Sequence, residues 1–321
     1  MLFADTVRNR GLHEKPRIIL ALFVLSSLLA WWAGGGAAGY AALFPVREAA
    51  LGLLGDLGLA CLLGAAFTAN LVLISRFRFR LQVLIVWAEL LTLFLLFFLA
   101  FDLSFPFILK KLPYLITQGA VTTVYVSAIS IAIASVIAII GAVAKLSSNG
   151  FAFAVASFYT SLFRGLPLLV QIYLLYLGLP QLGIYIDAIP AGIIALSLCY
   201  GAYMTEVFRA GILSIPAGQW EASRSMGFKF GLTMRRIILP QSVPVIIPPL
   251  GNQFIAMLKD SSLVSVLGIW ELMFLARTLG NKEFRHLEML ITVAVIYWVL
   301  TILFELVQAR IEAYFQKHRK R

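Results

Sequence analysis

The chain has few cysteines and few charged residues for its length. Only two cysteines occur among its 321 residues, and charged residues make up 13% of them. Cys61 and Cys199 stand alone inside apolar runs, and three isolated histidines complete no ligand spacing, so the sequence indicates neither a disulfide framework nor a metal site. Walker-type phosphate loops, GxSxG elbows and HExxH motifs are absent, which excludes the enzyme classes built on them.

Acidic residues are scarce compared with basic ones. The 15 acidic residues against 26 basic residues give a formal net charge of +11. Such a balance also occurs in nucleic-acid-binding proteins, but here the basic residues gather at the ends of apolar runs and do not alternate with aromatic residues suited to base stacking. The pattern therefore indicates loops held on the cytoplasmic side, in contact with anionic membrane lipid, and no nucleic acid partner.

Hydrophobic residues dominate the composition. They make up 61% of the chain, and the mean hydropathy is +0.93. Runs of about 20 apolar residues, the length that crosses a bilayer, occur eight times: 17–33, 51–74, 81–101, 117–144, 159–179, 188–209, 241–268 and 289–309. Because only helices or closed barrels can span a membrane, these runs predict an all-α polytopic membrane protein of about eight transmembrane helices.

The distribution of basic residues predicts that both termini are cytoplasmic. With that orientation the inner segments carry Arg8, Arg10, Lys15, Arg17, Arg76, Arg78, Arg80, Lys145, Arg209, Arg224, Lys229, Arg235, Arg236, Arg310, Lys317, Arg319, Lys320 and Arg321. The outer loops carry Arg47, Lys110, Lys111, Arg277, Lys282 and Arg285. A cleaved signal peptide, formed by the first apolar run and the small residues at 34–38, is the alternative for the start of the chain.

Residues 214–240 form a charged segment between two apolar runs. Each ionised side chain at mid-membrane costs about 2.5–3.5 kcal/mol, so this segment should lie at a membrane face. Ser214 and Pro216 predict the N-cap and first turn of a helix. Gly227 predicts a sharp change of direction, and Pro240 the start of the next apolar run. The expected shape is a short helix, a corner and a second short helix.

The spacing of this segment resembles the EAA loop of ABC import permeases. The matching residues are Glu221, Ala222, Gly227, Ile237, Leu239 and Pro240, with Ser223 at the position where the motif usually has a second Ala. Other stretches between about residues 113 and 310 are similar, in order, to the polar amino acid branch of that family: Arg164-Gly-Leu-Pro-Leu-Leu-Val-Gln171, Gly201-Ala-Tyr-Met-Thr-Glu206 with Arg209, Ser214 to Ala222, Leu239 to Asn252, and Lys259-Asp-Ser-Ser-Leu263.

This resemblance implies a five-helix type I ABC importer permease core at residues 113–310. A three-helix membrane extension, residues 1–112, would precede it, and a basic cytoplasmic tail, residues 311–321, would follow. The chain would be a transport subunit of a bacterial inner membrane importer for polar amino acids and would bind no cofactor. Its expected partners are an ATP-binding cassette ATPase dimer that holds ATP and Mg, a second permease copy or homologue, and an extracytoplasmic amino acid binding protein.

Several intramembrane residues are candidates for the substrate pathway. Gly165 and Pro167 should interrupt a helix at its entry into a span, and the 248–252 stretch should interrupt the seventh span in the same way, since broken helices are typical of substrate paths. The substrate-pathway candidates are Arg164, Gly165, Pro167, Gln171, Asn252, Lys259 and Asp260. Glu206 and Arg209, three residues apart, are expected to form a pair with a gating or a structural role.

Two other functions remain open from the sequence. An ion-coupled secondary transporter would use the intramembrane residues Lys259, Asp260 and Glu89 as coupling groups. A non-transporting membrane scaffold or sensor would use the 214–240 segment to bind an ATPase for regulation alone.

Overall fold

The computed structural model describes residues 15–34, 53–99, 101 and 103–319. Over these ranges the chain is helical and contains no β-strand, which confirms the predicted all-α class. The chain divides into two compact units, residues 1–102 and 103–321. The predicted loop after the first span, including most of the small-residue cluster that suggested a cleavage site, lies outside the described residues.

The first unit contains three apolar helices, α1 (Pro16–Gly34), α2 (Leu53–Ile74) and α3 (Phe79–Leu99). Helix α1 packs along α2, where Ser26 Oγ donates a hydrogen bond to the carbonyl oxygen of Gly64 over 3.3 Å. Between α2 and α3, Asn70 Nδ2 donates to Glu89 Oε1 over 3.0 Å. Glu89 is therefore bonded to an adjacent helix.

The second unit begins with one long span, in which α4 (Phe105–Tyr114) continues through a π-helical turn (Leu115–Ala120) into α5 (Val121–Leu146). The remaining helices are α6 (Gly150–Gly165), α7 (Leu168–Tyr173), α8 (Ala188–Leu213), α9 (Ala217–Ser225), α10 (Phe230–Thr233), α11 (Leu239–Asp260), α12 (Leu272–Glu283) and α13 (His286–Arg319). Helix α13 continues through most of the predicted tail.

Within the described parts of the chain, five helical segments are long and apolar enough to cross a membrane: Leu57–Ile74, Phe79–Leu96, Phe105–Lys145, Ala188–Leu213 and His286–Phe315. Two bent pairs of helices, Gly150–Gly165 with Leu168–Leu182 and Phe230–Leu267 with Leu272–Glu283, raise the number to seven if each pair counts as one span. Pro16–Trp32 is a shorter apolar helix at the position of the first predicted span. Each of the eight predicted runs thus coincides with an apolar helix or a bent pair.

The 159–179 span is interrupted, as Gly165 and Pro167 predict. Helices α6 and α7 meet at an angle of 107°, with the break at Leu166 and Pro167. Leu166 has an extended backbone (φ −94°, ψ 138°). The ring of a following proline disfavours the helical conformation, so this residue leaves the helix and the chain turns.

The predicted interruption at residues 248–252, by contrast, is wrong. Helix α11 runs continuously from Leu239 to Asp260 with Pro244, Pro248 and Pro249 inside it. Prolines are tolerated inside membrane helices where neighbouring helices help to satisfy the backbone. Gln308 of α13 contacts this stretch, where its Nε2 donates to the carbonyl oxygen of Pro248 over 3.2 Å.

The core of the second unit surrounds α8. Leu196 and Met204 of this helix are fully buried together with Met257 of α11 and Val264 of the 3₁₀ turn that follows α11. A second apolar cluster joins α4, α12 and α13, and Leu112 packs against it. The predicted division of the chain at 112/113 falls within α4, which belongs to the second unit through these contacts.

Candidate functional site

Residues 214–240 form a compact elbow at one end of the second unit. Helix α9 ends in a Schellman motif, in which the Gly227 N–H donates to the Arg224 carbonyl (2.9 Å) and the Phe228 N–H donates to the Ser223 carbonyl (3.1 Å). Gly227 has a φ of +75°, the left-handed region that glycine adopts without steric cost. The predicted corner at Gly227 is therefore present in the fold.

Apolar packing fixes the elbow to the helices behind it. Ile212 and Ile215, at the end of α8, form a buried cluster with Met234 and Ile238, and Ile237 and Leu239 pack against that cluster. The rings of Trp220 and Phe230 stack across the corner with centroids 6.2 Å apart. The two arms of the elbow are thus joined to each other and to α8 by apolar contacts.

The surface of the elbow is exposed and carries both charged and apolar residues. Glu221, Ala222 and Gly227 are exposed, as is Pro240. Ser223, the residue that departs from the motif, is completely buried, and its hydroxyl donates to the Gln219 carbonyl over 2.8 Å. A serine fits this position because its hydroxyl is satisfied within its own helix.

Two details of the predicted elbow are wrong. Ser214 is the last residue of the preceding turn, where its hydroxyl donates to the Gly211 carbonyl, and Pro216 occupies the N-cap position of α9. The second arm is not a separate short helix, because α10 passes through a π-helical turn (Met234–Ile238) directly into α11. Pro240 is the second residue of α11, next to the π-helical turn, so it marks the start of this apolar helix as predicted.

A pocket of about 480 Å³ opens beside the break between α6 and α7. It brings together four of the substrate-pathway candidates, which are Arg164, Gly165, Pro167 and Asp260. Tyr200, Tyr203 and Gln253 add polar groups to the lining. Small-molecule sites are commonly concave spaces of about 300–1,000 Å³ with a few convergent polar groups, so this is the candidate ligand site of the second unit.

Gln171 does not line this pocket, and its side chain instead closes the helix break. Its Nε2 atom donates to the carbonyl oxygens of Phe163 (2.9 Å) and Leu166 (2.8 Å). The residue is only 3% exposed, and its Oε1 atom has no hydrogen-bond partner. Because the break would otherwise leave these carbonyls unpaired in an apolar setting, the amide stabilises the turn.

The two charged residues at the end of α11 have different surroundings. Asp260 accepts a hydrogen bond from the Tyr200 hydroxyl at Oδ2 over 2.7 Å and faces the pocket. Lys259 is exposed and is not among the pocket-lining residues. Asn252 also lies elsewhere, on the side of α11 that faces α13, where its Oδ1 accepts from Gln308 Nε2 over 3.1 Å.

Glu206 and Arg209 form the predicted pair, with Arg209 Nε 2.9 Å from Glu206 Oε2. The structure adds two cations that the sequence did not assign to Glu206. Lys145 donates from Nζ to Glu206 Oε1 and to Thr160 Oγ1, while Arg164 NH1 lies 4.0 Å from Glu206 Oε1. One carboxylate therefore connects the end of α5, the end of α6 and α8.

Lys145, Tyr200, Tyr203 and Gln253 are the functional candidates that the sequence analysis missed. Tyr200 falls inside an apolar run and Lys145 resembles an ordinary basic flank, so no spacing signal distinguished these two. Tyr203 lies in the motif-like stretch 201–206, but its side chain was not selected. Gln253 directly follows Asn252, which was selected as a pathway candidate. Because successive residues of a helix point in different directions, Gln253 faces the pocket and Asn252 does not.

Membrane-length helices, a polar pocket beside a broken helix and an exposed elbow together define the membrane-embedded part of a transport system. A family model described as "binding-protein-dependent transport system inner membrane component" matches residues 134–316, more than half of the chain. The chain belongs to this family.

Individual relatives agree with that assignment. A probable amino-acid ABC transporter permease protein, YckA of Bacillus subtilis (strain 168), is 37% identical over 197 residues, covering 61% of this chain and 84% of the relative. The arginine transport system permease protein ArtQ of the same organism is 35% identical over 212 residues, covering 66% and 96%.

Solved structures agree as well. The crystal structure of an amino acid ABC transporter with histidines has a TM-score of 0.63 at 37% identity, covering 67% of this chain and all of that one. An inward-facing structure of the MetNI methionine ABC transporter shares the fold, with a TM-score of 0.57 at 21% identity.

Proposed function

We propose that this chain is the permease subunit of an ATP-driven importer of polar amino acids, and that the elbow at residues 214–240 couples an ATPase to alternating access. The substrate class is inferred from relatives named as permeases for arginine, cystine and glutamine, and from the pocket with groups of both charges. The elbow would lie on the cytoplasmic side of the inner membrane, as would both termini.

The observation that carries the coupling role is the contrast between the two faces of the elbow. Its outer face presents Glu221 and Ala222 to solvent, while its inner face is anchored in the apolar cluster around Ile212 and Ile238. A partner that moves the exposed face moves α8 and α11 with it. Both of these helices contribute to the pocket, through Tyr200 and Tyr203 on α8 and Gln253 on α11.

The proposed complex divides the work among several chains. An ATP-binding cassette ATPase dimer would hold ATP and Mg and dock on the elbow, and a second permease copy or a homologue would complete the membrane part. An extracytoplasmic binding protein would deliver the amino acid to the outer face. Within the membrane, the pocket beside the α6–α7 break would receive the substrate.

Charge reversal at Glu221 tests the coupling role. The complete complex, purified through a tag on this chain and reconstituted in proteoliposomes with its binding protein, should lose ATP-driven uptake in Glu221→Lys because the partner meets a charge of the wrong sign. The Glu221→Lys chain should still copurify with the other subunits of the complex. Ser225→Ala, at an exposed position of the same helix, serves as the control and should transport normally. Normal uptake by Glu221→Lys would refute the coupling role.

The energy source separates this proposal from an ion-coupled transporter. Uptake should stop when ATP is depleted and should persist in the presence of an uncoupler. Uptake that survives ATP depletion and collapses with the uncoupler would favour ion coupling. ATPase binding without any movement of amino acid would favour the scaffold.

A further inference from the structure

Three arginines lie close together where α2 is followed by α3. Arg76, Arg78 and Arg80 are all exposed, and a phenylalanine separates each from the next. We call residues 76–80 the arginine turn. None of the three guanidinium groups forms an ion pair with another described residue. The arginine turn therefore carries a concentrated positive charge that the described part of the chain does not neutralise.

The sequence around the arginine turn contains no acidic residue. From position 57 to position 88 there is no aspartate or glutamate, and the three arginines are the only charged residues. The next acid is Glu89, which lies further along α3 at a distance from Arg80 of about 14 Å, at 1.5 Å of rise per residue. Its carboxylate already accepts a hydrogen bond from Asn70. The counter-charge for the arginine turn must therefore come from another molecule.

The lengths of the flanking helices place the arginine turn at a membrane surface. Helix α2 has 22 residues and α3 has 21, so each can cross a hydrocarbon core of about 30 Å. A short turn between two such helices emerges among the lipid headgroups. Phe77 and Phe79 are 41% and 55% exposed, and apolar side chains at this depth enter the boundary between headgroups and acyl chains. The molecules next to the arginines are thus phospholipids.

Hydrogen bonds fix the backbone of the arginine turn. The Arg76 N–H donates to the Leu73 carbonyl (3.1 Å), and the Phe77 N–H donates to the Ile74 carbonyl (3.0 Å). From the first turn of α3, Gln82 Nε2 donates to the Phe77 carbonyl over 2.8 Å. Because the backbone that carries the arginines is already ordered, a ligand that binds between them pays a smaller entropic cost.

We propose that the arginine turn binds the phosphate group of an anionic phospholipid and so ties α2 and α3 to the leaflet that the turn faces. Arginine suits this ligand because its planar guanidinium donates two parallel hydrogen bonds to a phosphate, whereas lysine supplies only a point charge. A positive charge that served only to orient the helices would not distinguish arginine from lysine. The turn lies outside residues 134–316, which the family model matches, so this site is independent of the importer proposal.

Lipid binding to the full-length chain, purified within its complex in a neutral detergent, tests this site. Native mass spectrometry counts bound phosphatidylglycerol, and phosphatidylcholine serves as the zwitterionic comparison. A neutral micelle has no surface charge of its own, so any preference reflects a site on the protein. The wild-type chain should bind phosphatidylglycerol about 10- to 100-fold more tightly, because each arginine near an anionic headgroup contributes about fivefold.

Two triple variants of Arg76, Arg78 and Arg80 separate a phosphate site from a diffuse charge. Changing all three arginines to glutamine should reduce the affinity for phosphatidylglycerol to that for phosphatidylcholine. Changing all three to lysine keeps the charge, and with it the predicted orientation, but should still reduce the preference by about threefold or more. A control variant removes the same charge from three exposed positions on α12 and α13 and should keep the wild-type preference. Its substitutions are Arg277→Gln, Lys282→Gln and Arg310→Gln.

Four results would overturn the proposal. Equal binding of the two lipids by the wild-type chain would show that there is no anionic lipid site. An unchanged preference in the lysine variant would show that charge alone acts, without phosphate recognition. An equal loss in the control variant would show that net charge governs binding, and the turn does not. Displacement of phosphatidylglycerol by inorganic phosphate at the same concentration would identify a site for a free anion, since the lipid should bind more tightly through its acyl chains.

Discussion

At Gly227 a single residue determines the geometry of the elbow. Its φ of +75° is reached by L-residues at a cost of about 1–2 kcal/mol, and no atom lies within 4 Å of the position that a Cβ would occupy. Any effect of a substitution there therefore arises from backbone strain alone. The strain would shift the direction in which α10 leaves the corner, and with it the position of Glu221 relative to α11.

Gly227→Val should consequently reduce ATP-driven uptake strongly, while Gly227→Asn should retain most of it because asparagine enters the left-handed region more readily. Gly231→Ala is the matched control, since Gly231 has an ordinary φ and open space around it. Uptake and ATP hydrolysis in proteoliposomes provide the readout. Equal transport by the valine and asparagine variants would contradict the role given to this backbone conformation.

At the scale of elements, the break between α6 and α7 depends on one buried amide. Gln171 reaches back to two carbonyl groups that α6 leaves unpaired at its end. Leaving a buried acceptor unsatisfied costs about 1–3 kcal/mol. The helix break, and hence the position of Arg164 in the pocket, should require this side chain.

Gln171→Leu should therefore lower the thermal stability of the purified complex and weaken amino acid binding together. Gln181→Leu, at an exposed position of the turn that follows α7, should change neither. Unfolding temperatures and binding of radiolabelled amino acid can be measured on the same preparations. Unchanged stability of Gln171→Leu would show that the break is held by other contacts.

A second element depends on a residue that the sequence did not suggest. Glu271 is completely buried and caps α12, accepting from the Met273 N–H (2.8 Å), the Phe274 N–H (2.6 Å) and the Tyr297 hydroxyl (2.8 Å). It fixes the start of α12 after the 50° bend that follows the 3₁₀ turn, and it joins α12 to α13. Helices α12 and α13 should separate more easily without it.

Replacing Glu271 by alanine removes the cap and should cost about 0.5–2 kcal/mol, more if the Tyr297 hydroxyl is left unpaired. Glu283→Ala, at the other end of α12, breaks only the exposed ion pair with Lys111 and should cost at most about 1 kcal/mol. Thermal unfolding of the two variants gives the comparison. A larger loss in Glu283→Ala than in Glu271→Ala would contradict the account of this cap.

The membrane spans and one of the helix breaks could be predicted from the sequence, whereas most polar contacts between helices could not. The lengths of the apolar runs predicted the membrane spans, because the thickness of a bilayer sets the number of helical residues that cross it. The break before α7 was predicted from Gly165 and Pro167, whereas Pro248 and Pro249 gave a false signal because a membrane helix packed among its neighbours accommodates proline. Which polar groups meet across helices depends on packing, so the contacts of Lys145 and Arg164 with Glu206, and the partners of Glu271, could not be predicted.

At the scale of the whole molecule, the pocket and the elbow both belong to the second unit. The family model at 134–316 lies entirely within that unit. All residues named for the pocket and the elbow lie in the second unit. Removal of helices from the first unit should therefore spare transport, provided that the number of removed spans is even and the predicted orientation of the remaining helices is kept.

Deletion of residues 2–74 removes α1 and α2 and leaves α3 with its basic flank as the first span. This variant should insert and retain ATP-driven uptake, with reduced amounts of complex in the membrane at most. Deletion of residues 2–102 removes three spans and should invert or block insertion of the second unit. Uptake by the three-span deletion with normal insertion would contradict the predicted topology.

Crosslinking from the elbow in intact membranes tests the central claim most directly. A photoreactive residue placed at Glu221 should crosslink to a nucleotide-hydrolysing subunit on the cytoplasmic side, and the yield should change when ATP is bound, since the partner is expected to move the elbow. Modification of this position by a reagent confined to the exterior, or the absence of a crosslink to any such subunit, would contradict the account.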